Sequence, residues 1–337
     1  LSNLLISSSI PFLLYLSIKE NYPNLNSGLT LLLSLTITLS PYFRTTSFWA
    51  LGENYGIIFL LLSYLTYASL KKNLINFTSF KKFLIIFFLC LFSSLIVYFD
   101  QKLVFVPFLV LVLLLNLNTE IKFKIYSIVL FFIFSLPYFY LIHLWGSLIP
   151  PSANDAREVG SSIYLFHPGY CLTILTLTIF PFFFIYNINL ESFKNKIFIK
   201  NLIYILILFI IYCLIIILFG DFENLRMEGK GAFHKISLIL IKNSDIRLIF
   251  TLVAFLGSII FTYLIFNNKA ELLIIVYFIV LSLFTFPFYQ EYLDPMLYIL
   301  IFSFFQSRFK FENKRIIYLL ILYYFILSLS AKYYYQM

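Results

Sequence analysis

The chain has 337 residues, of which 62% are hydrophobic, 21% aromatic and only 12% charged, with a formal net charge of +9. A soluble domain carries roughly 25% charged residues, and no soluble core hides 43 Phe and 26 Tyr behind so little polar surface. The composition excludes a soluble globular protein. The apolar runs are continuous, which also excludes the alternating pattern of a lipid-facing barrel.

A hydrocarbon core of about 30 Å needs roughly 20 apolar residues per helix. In chain order the sequence predicts spans near 3–18, 28–43, 55–70, 83–99, 103–118, 125–145, 168–187, 201–219, 248–267, 272–289, 294–307 and 315–331. The fold expected is an all-α, polytopic transmembrane helical bundle of about 11–12 spans, forming a single domain over 1–337. Asp100-Gln101-Lys102 is the tightest connection. Two connections are longer, 146–167 and 220–247, and the second contains Phe233, Ile236, Leu238, Leu240 and Ile241, the pattern of a short interfacial helix.

Alternate connections differ in charge. The set 19–27, 71–82, 119–124, 188–200, 268–271 and 308–315 holds 15 Lys/Arg and 5 Asp/Glu, while all other positions hold 9 and 10. A balance of +10 against −1 marks the first set as cytoplasmic. The same clustering argues against nucleic acid as a partner. The N-terminus then falls outside. Residues 1–18 lack a basic n-region and a cleavage site, so a further helix and a first outer loop are expected upstream of Leu1. Cys90, Cys171 and Cys213 lie in apolar runs and read as small buried hydrophobes.

The predicted helix interiors carry no charged residue near a midplane, where an ion-coupled transporter keeps ionisable groups. Polar interest gathers at the outer ends. Arg44 and Glu53 bracket one outer connection around the interfacial Trp49. They read either as a snorkelling pair or as a grip on a lipid phosphate and a sugar. Asp100 and Lys102 read as helix punctuation or as the floor of a site. Asp155 and Arg157, in the longer loop, are a solvated pair or a carboxylate and cation that act together. His167 opens a helix where a phosphate would sit. His143 is a weaker counterpart. Asp294-Pro295 reads as a helix N-cap followed by Pro at the first position. Gln290, Glu291 and Tyr292 have the planar and aromatic faces that read sugar hydroxyls. The three His have no metal-ligand spacing, so no metal site is expected from the residues.

The stretch "SPYFRTTSFWALGENYGIIFLLLSYL" resembles the outer segment of the GT-C class of membrane glycosyltransferases, with Ser40, Pro41, Arg44 and Glu53 at the matching positions. "WGSLIPPSANDAR" resembles outer loops of bacterial members. The resemblance implies transfer of a sugar from a polyprenyl-phosphate donor, with a lipid-linked glycan, glycolipid or surface polymer as acceptor, in a bacterial inner membrane. On this reading the outer-end candidates are Arg44, Lys102, Arg157 and His167 for the donor phosphate and Glu53, Gln290, Glu291 and Tyr292 for sugar, of which only Arg44 and Glu53 are among the matching positions. The family's acidic residue in the first outer loop would lie upstream of Leu1; Asp155 and Asp100 are the best visible carboxylates. A divalent cation is compatible with this chemistry. Alternatives are an O-antigen-type polymerase and a flippase or transporter of lipid-linked glycans.

Overall fold

The computed structural model describes residues 2–48, 52–147, 150–151, 158–159, 162–184, 196–220, 231–266, 268–305 and 314–334. Among the described residues the chain is all-α but for one pair of two-residue strands, and it is a multi-pass integral membrane protein. Among the described residues five helices are long and apolar enough to cross a membrane: Ser79–Phe99, Ile121–Trp145, His167–Phe184, Lys200–Phe219 and Ser244–Ile265. The bent pair Pro41–Phe48 and Glu53–Lys72 makes a sixth if taken as one span. Of the remaining predicted spans, 28–43, 103–118, 272–289 and 315–331 coincide with shorter apolar helices, 3–18 is divided between the helices Ser2–Ser7 and Ser9–Asn21, and 294–307 holds the six-residue helix Met296–Ile301.

Backbone chemistry explains the shortening at 28–43. The predicted span divides into α3 (Ser27–Leu35), a 3-10 turn over Thr36–Leu39 and α4 (Pro41–Phe48), after α1 (Ser2–Ser7) and α2 (Ser9–Asn21). Ser40 is extended (φ −60°, ψ 122°), as the residue before a proline tends to be. Its hydroxyl accepts from Phe43 N at 3.0 Å. Ser40 is thus an N-cap and Pro41 the first residue of a new helix, so Ser-Pro opens an element here instead of ending one. At 294–307 the helix α14 (Met296–Ile301) begins beyond Pro295. Pro295 is therefore the residue before the helix, one position earlier than the sequence predicts.

The chain divides into two compact units. The first comprises residues 1–151, 298–306 and 324–333. Its frame is the hairpin of α5 (Glu53–Lys72) and α6 (Ser79–Phe99). An aromatic ladder joins the two: Tyr55 stacks on Phe99 at 5.4 Å, Phe59 on Phe99 at 5.5 Å, and Phe59 lies 6.0 Å from Phe92. Thr78 caps α6 by accepting from Lys81 N. Lys71, Lys72, Lys81 and Lys82 cluster at one end of the hairpin, and Glu53 and Asp100 at the other. At 1.5 Å per residue the two ends are about 30 Å apart. α7 (Phe105–Asn116) follows a 3-10 turn, and α8 (Ile121–Trp145) packs on α6 through Phe83–Phe123 (4.8 Å) and Phe83–Tyr126 (4.9 Å).

In the second unit, α9 (His167–Ile179) is the buried centre. In its span 72% of the residues are buried, against 6% in Lys200–Phe219 of α10 (Lys196–Phe219). α9 packs against α11 (Gly231–Leu240), α12 (Ser244–Ile265) and α13 (Lys269–Leu283). Gly169 lies flush against the Phe255 ring, leaving no room for a Cβ. Tyr170, Phe166, Ile216 and Phe255 form the core. Strands β1 (Glu158–Val159) and β2 (Thr285–Phe286) pair antiparallel. The short helix predicted within 220–247 appears as α11, with Gly231, His234 and Ser237 inward and Ile236, Ile239 and Leu240 exposed. α15 (Lys314–Tyr334) contributes residues to both units.

Candidate functional site

The α5–α6 hairpin brings Glu53 and Asp100 to the same end because one opens α5 and the other directly follows α6. Gly56 permits the approach. A Cβ at Gly56 would stand 3.2 Å from Asp100 Cβ, so a larger residue would push the Asp100 turn outward. A 3-10 turn over Gln101–Leu103 then returns Lys102 onto Asp100, with Nζ 3.3 Å from Oδ2. Both side chains are nearly sealed, 12% exposed for Lys102 and 8% for Asp100.

Helix α4 completes the cluster. The Tyr42 hydroxyl donates to Glu53 Oε1 at 3.0 Å. Lys102 Nζ lies over the Tyr42 ring, 4.8 Å from its centroid, a cation–π contact. Tyr42 therefore joins the two charged partners through its two ends. Burial pushes the Asp100 carboxyl up to about 6; Lys102 pulls it down and the Glu53 charge pushes it up again. A carboxyl near that value takes and releases a proton close to neutral pH.

Behind the cluster lies a second, uncharged layer. Asn54, adjacent to Glu53, is fully buried. Its Nδ2 donates to Ser7 Oγ (2.8 Å) and Ser47 Oγ (2.9 Å), and its Oδ1 accepts from Thr46 Oγ1 (2.8 Å). The Ser47 hydroxyl donates to Phe43 O at 2.7 Å, so it can only accept from Asn54, which fixes the amide orientation. Asn3 Nδ2 donates to Thr46 O (2.9 Å) and Ser47 O (3.0 Å), satisfying carbonyls at the end of α4.

Arg44, on the same helix, is exposed and reaches α15, where its Nη2 donates to Ser328 Oγ at 2.5 Å. Unlike Glu53, Asp100 and Lys102, Arg44 contacts a partner outside the cluster. Tyr42 and Asn54 are the members that sequence reasoning missed.

The other candidates belong to the second unit. His167 is buried, its ring stacked on Tyr164 at 4.9 Å. Nδ1 faces the carbonyls of Thr285 (2.9 Å) and Ser282 (3.2 Å). Carbonyls only accept, so Nδ1 carries the proton, and the ring pins α9 to the end of α13. The Tyr292 ring is buried and stacked on Phe288 at 4.9 Å, so that face is not offered to a sugar. Gln290 is half-buried in a 3-10 turn over Gln290–Tyr292. Asp155 and Arg157, with Trp49 and the Glu291 side chain, lie outside the described residues. Among the described residues no three His, Cys, Asp or Glu side chains converge on a point that would hold a metal.

Comparison with family models, with curated proteins and with solved structures finds no match to this chain.

Proposed function

We propose that this chain is a membrane glycosyltransferase that moves a sugar from a polyprenyl-phosphate donor to a lipid-linked or surface glycan at the extracytoplasmic face of a bacterial inner membrane. One observation carries the reading: Glu53, Asp100, Lys102 and Tyr42 meet at one end of the α5–α6 hairpin, opposite its lysine-rich end. The lysine-rich end belongs on the cytoplasmic side, which puts the carboxylates among the opposite headgroups. A prenyl tail would lie along apolar helices there, with its phosphate at the headgroup level.

The chemistry needs a base and a cation. The acceptor hydroxyl attacks the anomeric carbon and its proton passes to the Asp100 carboxylate. The anomeric C–O bond to phosphate breaks, and its electron pair leaves on the phosphate oxygen beside Lys102. Glu53, oriented by Tyr42, accepts a sugar hydroxyl. Single displacement inverts the anomeric centre.

The test is an assay of the full-length chain in lipid nanodiscs with labelled polyprenyl-phosphate sugars and crude lipid acceptors. Release of polyprenyl phosphate is expected, with Asp100→Asn lowering turnover about 10²-fold while the helical content stays unchanged. Equal turnover in Asp100→Asn would sink the assignment.

A further inference from the structure

We propose that Asn54 is a positioning residue: acting through α4, it sets where the Tyr42 hydroxyl meets Glu53 beside Lys102. The inference deepens the reading above and rests on it for its effect on turnover.

The case is geometric. α4 and α5 meet at a bend of 115°, so continuous helical hydrogen bonding does not fix one relative to the other. The Tyr42–Glu53 hydrogen bond spans this bend, linking residues 11 apart. One donor at 3.0 Å on a half-buried carboxylate does not hold two helices by itself. The Asn54 amide does. It takes Thr46 and Ser47 from α4 and Ser7 from α1, three hydrogen bonds of 2.8–2.9 Å inside a fully buried site. Thr46 lies one turn beyond Tyr42, and Asn54 is next to Glu53. Rotation or slippage of α4 against α5 would therefore break the buried amide contacts before it moved Tyr42 off Glu53. Asn3 adds a second tie, from α1 to the last carbonyls of α4. Both polar atoms of the Asn54 amide have partners, and a buried polar group so satisfied specifies one arrangement, whereas Asn3 Oδ1 is buried with no hydrogen-bond partner. Any shift in Tyr42 passes to Lys102 through the ring face and so to Asp100.

The test uses the full chain in nanodiscs and two readouts. The first is an infrared titration of the carboxyl groups, assigned with Asp100→Asn, which needs no enzymatic activity. The second is turnover and KM for the polyprenyl-phosphate donor. Asn54→Leu keeps the volume and removes all three bonds. Expected are a moved Asp100 titration midpoint and a fall in turnover of about 10²-fold with donor KM within about 3-fold. A folded Asn54→Leu protein with an unmoved midpoint overturns the positioning role. If Asn54→Leu does not fold, Ser7→Ala and Ser47→Ala each remove one bond; both must move the midpoint in the same direction, and an unmoved midpoint in both overturns the proposal. A wild-type chain that transfers no sugar ends the proposed function alone, because the titration still decides what Asn54 does.

Discussion

Lys102 Nζ stands 3.3 Å from Asp100 Oδ2, and the pair is nearly closed to solvent. A pair in this state is costly to break and only weakly stabilising as a whole, because desolvation offsets most of the attraction. Lys102→Met should therefore lower stability by about 3 kcal/mol at pH 8, since it leaves a buried carboxylate without its cation. At pH 5 the loss should be smaller, as Asp100 is then protonated. The double variant Asp100→Asn with Lys102→Met should lose less than Lys102→Met alone. Thermal unfolding in nanodiscs at the two pH values measures all three, and a pH-independent loss would contradict the burial of Asp100.

The raised Asp100 carboxyl also gives the wild type its own pH dependence. Its value moves from 3.8 to about 6, first through burial. A group raised on folding favours the folded state when protonated. Its stabilising effect is full below 3.8 and is lost as pH rises through about 6. The unfolding temperature of the wild type, taken relative to Asp100→Asn, should thus fall between pH 4 and pH 6 and level off above. A rise over that interval would reverse the sign.

Tyr42→Phe keeps the ring under Lys102 and deletes only the donor to Glu53. A hydrogen bond to a charged group contributes up to about 1.5–3 kcal/mol to stability, so the unfolding temperature should fall, and turnover should fall roughly 10-fold as Glu53 loses its orientation. Tyr42→Leu, which also removes the cation–π face, should fall further. Equal effects of the two would show that the hydroxyl alone matters.

Arg44 offers a contrast on the same helix. If its guanidinium meets donor phosphate, Arg44→Ala should raise donor KM by about 10-fold, while Ser328→Ala, which removes only its resting partner, should not. Identical behaviour of the two variants would make Arg44 a tether between α4 and α15.

Far from these residues, Gly169→Ala should destabilise the chain by about 1–3 kcal/mol, because the new Cβ overlaps the Phe255 ring. Phe255→Leu in the same chain should recover part of the loss. A neutral Gly169→Ala, read by thermal unfolding, would mean that α9 and α12 separate without cost.

Part of the site is legible in the sequence. Asp100-Gln101-Lys102 between two apolar runs permits little but a tight turn, and the turn is there. Glu53 at the head of an apolar run is equally plain, and the hairpin then puts it level with Asp100. Reading 28–43 as one helix hides Tyr42. Only the Ser40 cap and Pro41 separate α4 and turn Tyr42 toward Glu53, and Ser-Pro before an aromatic run was the available signal. Asn54 was hidden for another reason. Its partner Ser7 lies 47 residues away, and a contact across that distance leaves no spacing to read. The reach of Arg44 to Ser328, over 284 residues, leaves none either. Tyr292 failed in the opposite sense: an aromatic at a polar turn reads as a sugar platform, yet Phe288 already covers its face.

The α5–α6 hairpin is stiff, laced by aromatic rings, and tipped with lysines at one extremity and with acid groups at the other. It behaves as a ruler. If the hairpin crosses the bilayer with its lysines at one leaflet, it sets how deep Glu53 and Asp100 ride in the opposite one, and membrane thickness becomes a variable of the proposed chemistry. Lengthening the acyl chains of the surrounding phospholipids would draw the acid groups below the headgroups or tilt the hairpin. The chain should therefore work best in a narrow range of lipid lengths, even where its fold tolerates many.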